Sequence, residues 1–127
     1  MRGISFMTQV VFAIILVAVI SAFLFLDFLT PAITSYGNEH AQMIAQSIST
    51  SINSLSREDQ GTVYRELGLA WDIRIYQDDE ETYITVKHDK FKSGDILIIS
   101  KAQDFKANGI DHIYIIKEPG KIPRLEV

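Results

Sequence analysis

Three histidines are the side chains best suited to hold a transition metal or to transfer a proton near neutral pH. His40, His88 and His112 are far apart in the sequence, with no pair at i,i+4 spacing and no His-Glu-x-x-His motif. Zinc sites use ligands at short, fixed spacings, which this chain lacks. We therefore predict no metal site and expect the histidines to be solvated or hydrogen-bonded.

The run Asp78-Asp79-Glu80-Glu81 places four carboxylates together, and carboxylates suit a hard cation such as Ca²⁺. The spacing does not match an EF-hand loop, and a solvated hairpin tip explains the run better. The chain has no cysteine, which removes thiolate chemistry and disulfides. It also has no Gly-x-Ser-x-Gly, P-loop or dinucleotide motif. We predict no enzymatic activity and no cofactor.

The charge balance argues against nucleic acid as a partner. Twelve basic residues face 16 acidic ones, for a net charge of −4. Phosphate contacts need clustered Lys and Arg, which an acidic domain does not offer.

An uncharged, strongly apolar run precedes the domain that carries these residues. Gly3 to Leu26 contains no charge, and a helix of that length spans about 30 Å, the thickness of a bilayer core. Arg2 before the run and acids from Asp27 onward favour a cytoplasmic N-terminus and an exported C-terminal domain. The small residues Ala18, Ser21 and Ala22 could let another helix approach closely, although ordinary membrane composition explains them equally well.

Pro31 predicts that the helix ends or kinks near this point. A second helical stretch follows over 35–56, with an apolar stripe on one face and small polar residues behind it. This stripe is expected to pack on a sheet and consists of Ala41, Ile44, Ala45, Ile48, Ile52 and Leu55. We therefore divide the chain into a transmembrane or filament-core helix, 1–34, and an extracytoplasmic domain, 35–127.

Residues 62–127 are predicted to form five or six short, mostly antiparallel strands. Alternation in 72–76 and 82–87 around a polar turn predicts a β-hairpin, preceded by a strand over 62–69. The continuous apolar runs 96–99 and 113–116 are typical of central strands, and Asn108-Gly109 reads as a turn before the second of them. Tyr64, Trp71, Tyr76 and Tyr83 are either core residues or contact points for a partner.

These elements predict an α+β fold: a long hydrophobic helix, kinked near Pro31, continues as an amphipathic helix packed on a small antiparallel sheet. This layout resembles the archaeal type IV pilin-like proteins. The likeness rests on Arg2-Gly3 directly before Ile4 and the apolar run, which is similar to a class III signal peptide. The resemblance implies that a prepilin-type peptidase cuts between Gly3 and Ile4 and that an assembly ATPase extracts the subunit from lipid. Thr8 stands where bacterial pilins commonly have an acid.

The leading hypothesis is a structural protein, held in the membrane by its helix and then polymerised with copies of itself into an extracellular filament. One alternative is an uncleaved single-pass membrane protein, an accessory or stator subunit of a surface filament or another membrane complex. A third is a secreted binding domain with a cleaved signal, for which no Ala-x-Ala site is evident.

Overall fold

The computed structural model describes the backbone from Arg2 to Val127 and the side chains from Ser5 onward. Within these residues the chain forms one helix followed by six strands. The helix is α1 (Arg2–Ser56), and the strands are β1 (Gly61–Asp78), β2 (Glu81–His88), β3 (Phe91–Lys92), β4 (Ile96–Ile98), β5 (Phe105–Lys117) and β6 (Arg124–Glu126). The predicted α+β class is confirmed.

The chain forms two compact units, one ending at Ser35 and the other comprising Tyr36–Val127. The helix assignment runs through Pro31, so the helix does not end there, and the kink near Pro31 stays a prediction. Proline has no N–H for the carbonyl four residues earlier. On either side of it, the hydroxyl of Thr30 donates to the carbonyl of Leu26 (2.9 Å), and that of Thr34 donates to the carbonyl of Thr30 (3.0 Å). Both hydroxyls are therefore satisfied within the helix.

The six strands form one antiparallel sheet in the order β3-β2-β1-β5-β6. The short strand β4 pairs with β2 on the same edge as β3, but further along. Strand alternation directs one set of side chains towards the helix of the same unit. The core between helix and sheet includes Ile73, Ile75, Ile84 and Val86, as the alternating pattern predicts.

Two details of the predicted strands are wrong. The segments 62–69 and 72–76 form a single long strand, β1, with register shifts between Glu66 and Ile73. Asn108-Gly109 does not end a strand but lies inside β5. Gly68 and Gly109 have positive φ angles of 80° and 64°. Glycine adopts these angles without strain, so β1 and β5 can continue past an irregularity instead of stopping at a turn.

The run 96–99 is also not central, although its continuous apolar pattern predicted a central strand. Residues 96–98 form β4, which within the described residues pairs with β2 alone, and Ile99 is 86% exposed. By contrast, Ile113 and Ile115 are fully buried in β5, which pairs with both β1 and β6. A short apolar run alone does not tell a central strand from an edge strand.

Candidate functional site

The most prominent surface of the first unit is the helical stretch over residues 5–34, called the apolar segment below. Seventeen large apolar side chains from Phe6 to Ile33 are exposed, and they occur on every side of the helix. Asp27 is the only charged residue of the segment. By length and composition alone, α1 could cross a membrane, and no residue in its most apolar stretch of 18 residues is buried. This surface is suited to lipid or to other apolar helices.

The predicted small-residue patch lies within the apolar segment. Ala18, Ser21 and Ala22 are all exposed, so their small side chains would let a neighbouring helix approach the backbone closely. The predicted processing site at Gly3 and Ile4 lies outside the residues whose side chains are described.

The six residues predicted for helix–sheet packing share one environment. All are buried in the core that the helix forms with the sheet: Ala41, Ile44, Ala45, Ile48, Ile52 and Leu55. At the beginning of this contact, Gly37 lies against the ring of Phe91 in β3. The backbone N–H of Lys92 donates to Oδ1 of Asn38 (3.1 Å).

Polar contacts fix the other end of the helix to the strands and loops of the second unit, Tyr36–Val127, which is called the sheet unit below. The guanidinium of Arg65 donates to the hydroxyl of Ser51, with nitrogen–oxygen distances of 3.2 and 3.3 Å. The N–H of Ser100 donates to Oδ1 of Asn53 (2.9 Å), and the hydroxyls of Ser56 and Ser100 are 2.8 Å apart. Small polar residues behind the apolar stripe therefore make specific contacts.

Two of the three histidines pack against the same indole ring, and the third lies elsewhere on the sheet. The rings of His40 and His88 each contact Trp71, at centroid distances of 5.5 and 5.4 Å, whereas His112 contacts Asp111 and Tyr64. In the part of the chain whose side chains are described, no three His, Cys, Asp or Glu residues form a group that could hold a metal ion.

The four aromatic residues that sequence reasoning left open have different environments. Trp71 is buried, and its indole N–H donates to the carbonyl of Leu67 (3.3 Å). Tyr64 is exposed and packs against Tyr114. Tyr76 and Tyr83 stack on each other, with ring centroids 5.7 Å apart. Trp71 is thus a core residue, and the tyrosines lie on the face of the sheet opposite the helix, called the outer face below.

The outer face carries an open cleft of about 380 Å³ that sequence analysis missed. β1, β2 and β5 each contribute one cation to it, respectively Arg74, Lys87 and Lys106. The alternation around the predicted hairpin already placed Arg74 and Lys87 on one face. Lys106 gave no such signal, because the sequence around it reads as the approach to a turn. We call this site the cation cleft.

Two carboxylates lie in the cation cleft, and both have donors from its walls. Oδ1 of Asp72 accepts from the backbone N–H of Gly109 (2.8 Å). Oδ1 of Asp95 accepts from the hydroxyl of Thr85 (2.9 Å). Hydrogen bonds from Tyr76 and Thr85 hold the pKa of Asp95 below its usual value, and the bond to Asp95 raises the pKa of Tyr76. Asp95 is therefore ionised near neutral pH and Tyr76 is neutral.

The four acids at the β1–β2 turn form the second charged feature, called the acidic tip (Asp78–Glu81). All four are exposed, as predicted for a solvated hairpin tip. Asp79 and Glu80 have positive φ angles of 49° and 68°, as in a type I′ turn. The hydroxyl of Tyr83 donates to Oε2 of Glu81 (2.6 Å), which raises the pKa of Tyr83 to about 12.

Comparison with known proteins gives no match among protein-family models, curated proteins or solved structures. The function proposed below therefore rests on the residues of this chain and their geometry.

Proposed function

We propose that this chain is a structural, pilin-like subunit of a cell-surface filament, which it joins by packing its apolar segment against those of neighbouring copies. The observation that carries the proposal is the division of one helix between two environments. Residues of the second unit bury a narrow apolar stripe on the sheet, whereas the apolar segment exposes large apolar side chains on every side.

The free energy gained by burying the apolar segment is too large for the segment to remain exposed to water. Burying one large apolar side chain contributes about 1.5–3 kcal/mol. For seventeen partly exposed side chains the total is on the order of 20 kcal/mol. The net stability of a domain is only about 5–15 kcal/mol. Lipid covers the segment before assembly, and neighbouring helices cover it afterwards.

The length of the segment suits both states of the proposed route, a membrane span before assembly and a packed helix afterwards. A membrane span needs about 20 residues, or 30 Å. The thirty residues over 5–34 correspond to about 45 Å of helix, with Asp27 as their one charge. In the proposed route, a peptidase cuts between Gly3 and Ile4, the sheet unit lies outside the cell, and an assembly ATPase supplies the work of extraction from lipid.

The test places one charge in the middle of the apolar segment. Val17→Arg is expected to prevent both membrane insertion and filament formation, because a cation at the bilayer centre costs about 2.5–3.5 kcal/mol or more and is unpaired in a helical core. The matched control is Gln46→Arg, since Gln46 lies on the exposed polar side of the same helix. Membrane fractionation and electron microscopy of cell-surface material measure the two outcomes.

Normal filaments from Val17→Arg would refute the proposal. Loss of filaments from both variants would show that any added arginine in the helix disrupts the protein. The N-terminal residue of the mature protein provides a second measurement. A chain that begins at Ile4 supports the pilin-like route. An intact N-terminus, in a protein that stays in the membrane without polymerising, would assign the chain to the single-pass accessory class instead.

A further inference from the structure

The cation cleft concentrates positive charge on the outer face of the sheet. Arg74 and Lys106 are direct cross-strand partners in the β1–β5 ladder. Like charges placed opposite each other destabilise an antiparallel pair. Lys87 adds a third cation from β2. A chain with net charge −4 thus places three cations around one cleft.

Carboxylates of the same molecule offset only part of this charge, since two acids, Asp72 and Asp95, share the cleft with the three cations. Within the residues whose side chains are described, none of Arg74, Lys87 and Lys106 forms an ion pair. The two acids of the cleft accept hydrogen bonds from Gly109 and Thr85, and Asp95 also interacts electrostatically with Arg74. Three cations against two carboxylates leave the cleft with an excess positive charge. The cleft is therefore chemically suited to an anionic group from another molecule.

The acidic tip has the opposite charge and is equally unpaired. Its four carboxylates form no ion pair with any described side chain. Asp78 is four residues along β1 from Arg74, which is about 13 Å at the rise of a strand. Since this distance exceeds the Debye length of about 8 Å at physiological ionic strength, the cleft of the same subunit does not neutralise the tip.

Aromatic contacts keep both features in place. Tyr83 holds Glu81 by a hydrogen bond and stacks on Tyr76. The guanidinium of Arg74 lies over the ring of Tyr76, 4.9 Å from its centroid. Both features are thus ordered before any partner arrives, which reduces the entropic cost of a contact.

We propose that the cation cleft of one subunit receives the acidic tip of a second copy of this chain, so that the sheet units of neighbouring subunits form a head-to-tail contact. Because cleft and tip are different surfaces, the contact is heterologous and can repeat along a polymer. The inference rests on the proposed function to the extent that packing of the apolar segments supplies the high local concentration that a small ionic contact needs.

The absence of cysteine allows a direct test in the full-length chain. The variant Glu80→Cys/Lys106→Cys places one thiol on the tip and one in the cleft. A disulfide within one molecule is excluded, because it needs Cα atoms within about 7 Å. Residue 106 lies opposite Arg74, which is about 13 Å along β1 from the beginning of the tip. Mild oxidation of native particles or membranes is expected to give a ladder of covalent multimers. The control Glu80→Cys/Asp111→Cys, with its second thiol at another exposed site, is expected to give no ladder.

Charge dependence separates an ionic contact from chance proximity. Adding Arg74→Gln to the double-cysteine chain is expected to reduce multimer yield at least about threefold, as is raising NaCl from about 0.05 to 0.5 M. Adding Arg57→Gln, which removes an exposed cation elsewhere, is expected to leave the yield unchanged. Circular dichroism of each variant verifies that it is folded.

Each outcome bears on one proposal. Filaments without a ladder would overturn the contact and leave the filament function in place. A ladder in membranes without filaments would support the contact and count against the filament. Absence of a ladder from both filaments and membranes overturns the contact. If such chains bind polygalacturonate through Arg74, the cleft belongs to an anionic polysaccharide instead.

Discussion

Replacement of Gly37 by alanine tests whether the helix packs tightly against strand β3 of the sheet. Alanine ordinarily stabilises a helix by about 1 kcal/mol relative to glycine. Here the added methyl group would lie 2.5 Å from Cε1 of Phe91 and closer still to two other ring carbons. Favourable carbon–carbon contacts are about 3.5–4.0 Å, so the ring would have to move by more than about 1 Å.

The clash is expected to outweigh the gain in helix propensity. Overpacking costs about 1–3 kcal/mol. Phe91 has little freedom to yield, since its neighbour Lys92 is hydrogen-bonded to Asn38 on the helix. We therefore expect Gly37→Ala to lower the free energy of unfolding by about 1 kcal/mol, after the gain in propensity is subtracted.

The assay is urea unfolding of the full-length chain in detergent, followed by the fluorescence of Trp71. Trp71 is the single tryptophan and is buried in the core. Gly94→Ala is the control, because a Cβ at Gly94 meets no atom within 4 Å and should change stability by less than about 0.5 kcal/mol. Gly37→Ala/Phe91→Ala should show a coupling that recovers part of the loss. A Gly37→Ala chain more stable than the wild type would refute the tight seating.

Three further predictions concern charge and turn geometry. Ultraviolet titration should find one tyrosine, Tyr83, with a pKa of about 12, and Glu81→Gln should return it towards 10.0. Ion pairs with Lys121 and Arg124 lower the pKa of Glu118. They therefore stabilise the fold above the unfolded-state pKa of this carboxyl, and the stabilisation is lost as pH falls through the folded-state pKa. Arg124→Gln should raise the titration midpoint of Glu118 measured by NMR. Placing Asn-Gly at positions 79–80 should raise the free energy of unfolding by about 1 kcal/mol in urea titrations, because Asn and Gly accept the positive φ angles.

Each of these has a distinct contrary result. A Tyr83 midpoint that Glu81→Gln does not change would remove the hydrogen bond as its cause. An unchanged Glu118 midpoint in Arg124→Gln would mean that solvent screens the pair completely. Destabilisation by Asn-Gly would show that the acidic turn has another conformation.

The parts of the fold that follow a simple period could be predicted from the sequence. The stripe from Ala41 to Leu55 repeats at helical spacing, and all its residues are in the core. The predicted hairpin also pairs as expected, with Ile73 opposite Val86 and Ile75 opposite Ile84. In both cases, burial of one face determines the pattern of residues.

The parts that depend on long-range pairing could not be predicted. Asn108-Gly109 has the local chemistry of a turn, yet it continues a strand because the long partner β1 is irregular at the same level. Residues 96–98 lie at the edge of the sheet because they pair with β2. Nothing in the sequence of the run indicates that pairing. The cation cleft needs the register of β1 with β5, so only its Arg74 and Lys87 were within reach of sequence reasoning.

Electron cryomicroscopy of the native particle would show directly what surrounds the apolar segment. We expect a helical polymer in which residues 5–34 of many copies contact one another at the centre, with the sheet units on the outside. A particle in which these residues of a single copy are surrounded by lipid, or contact only a different protein, would contradict it.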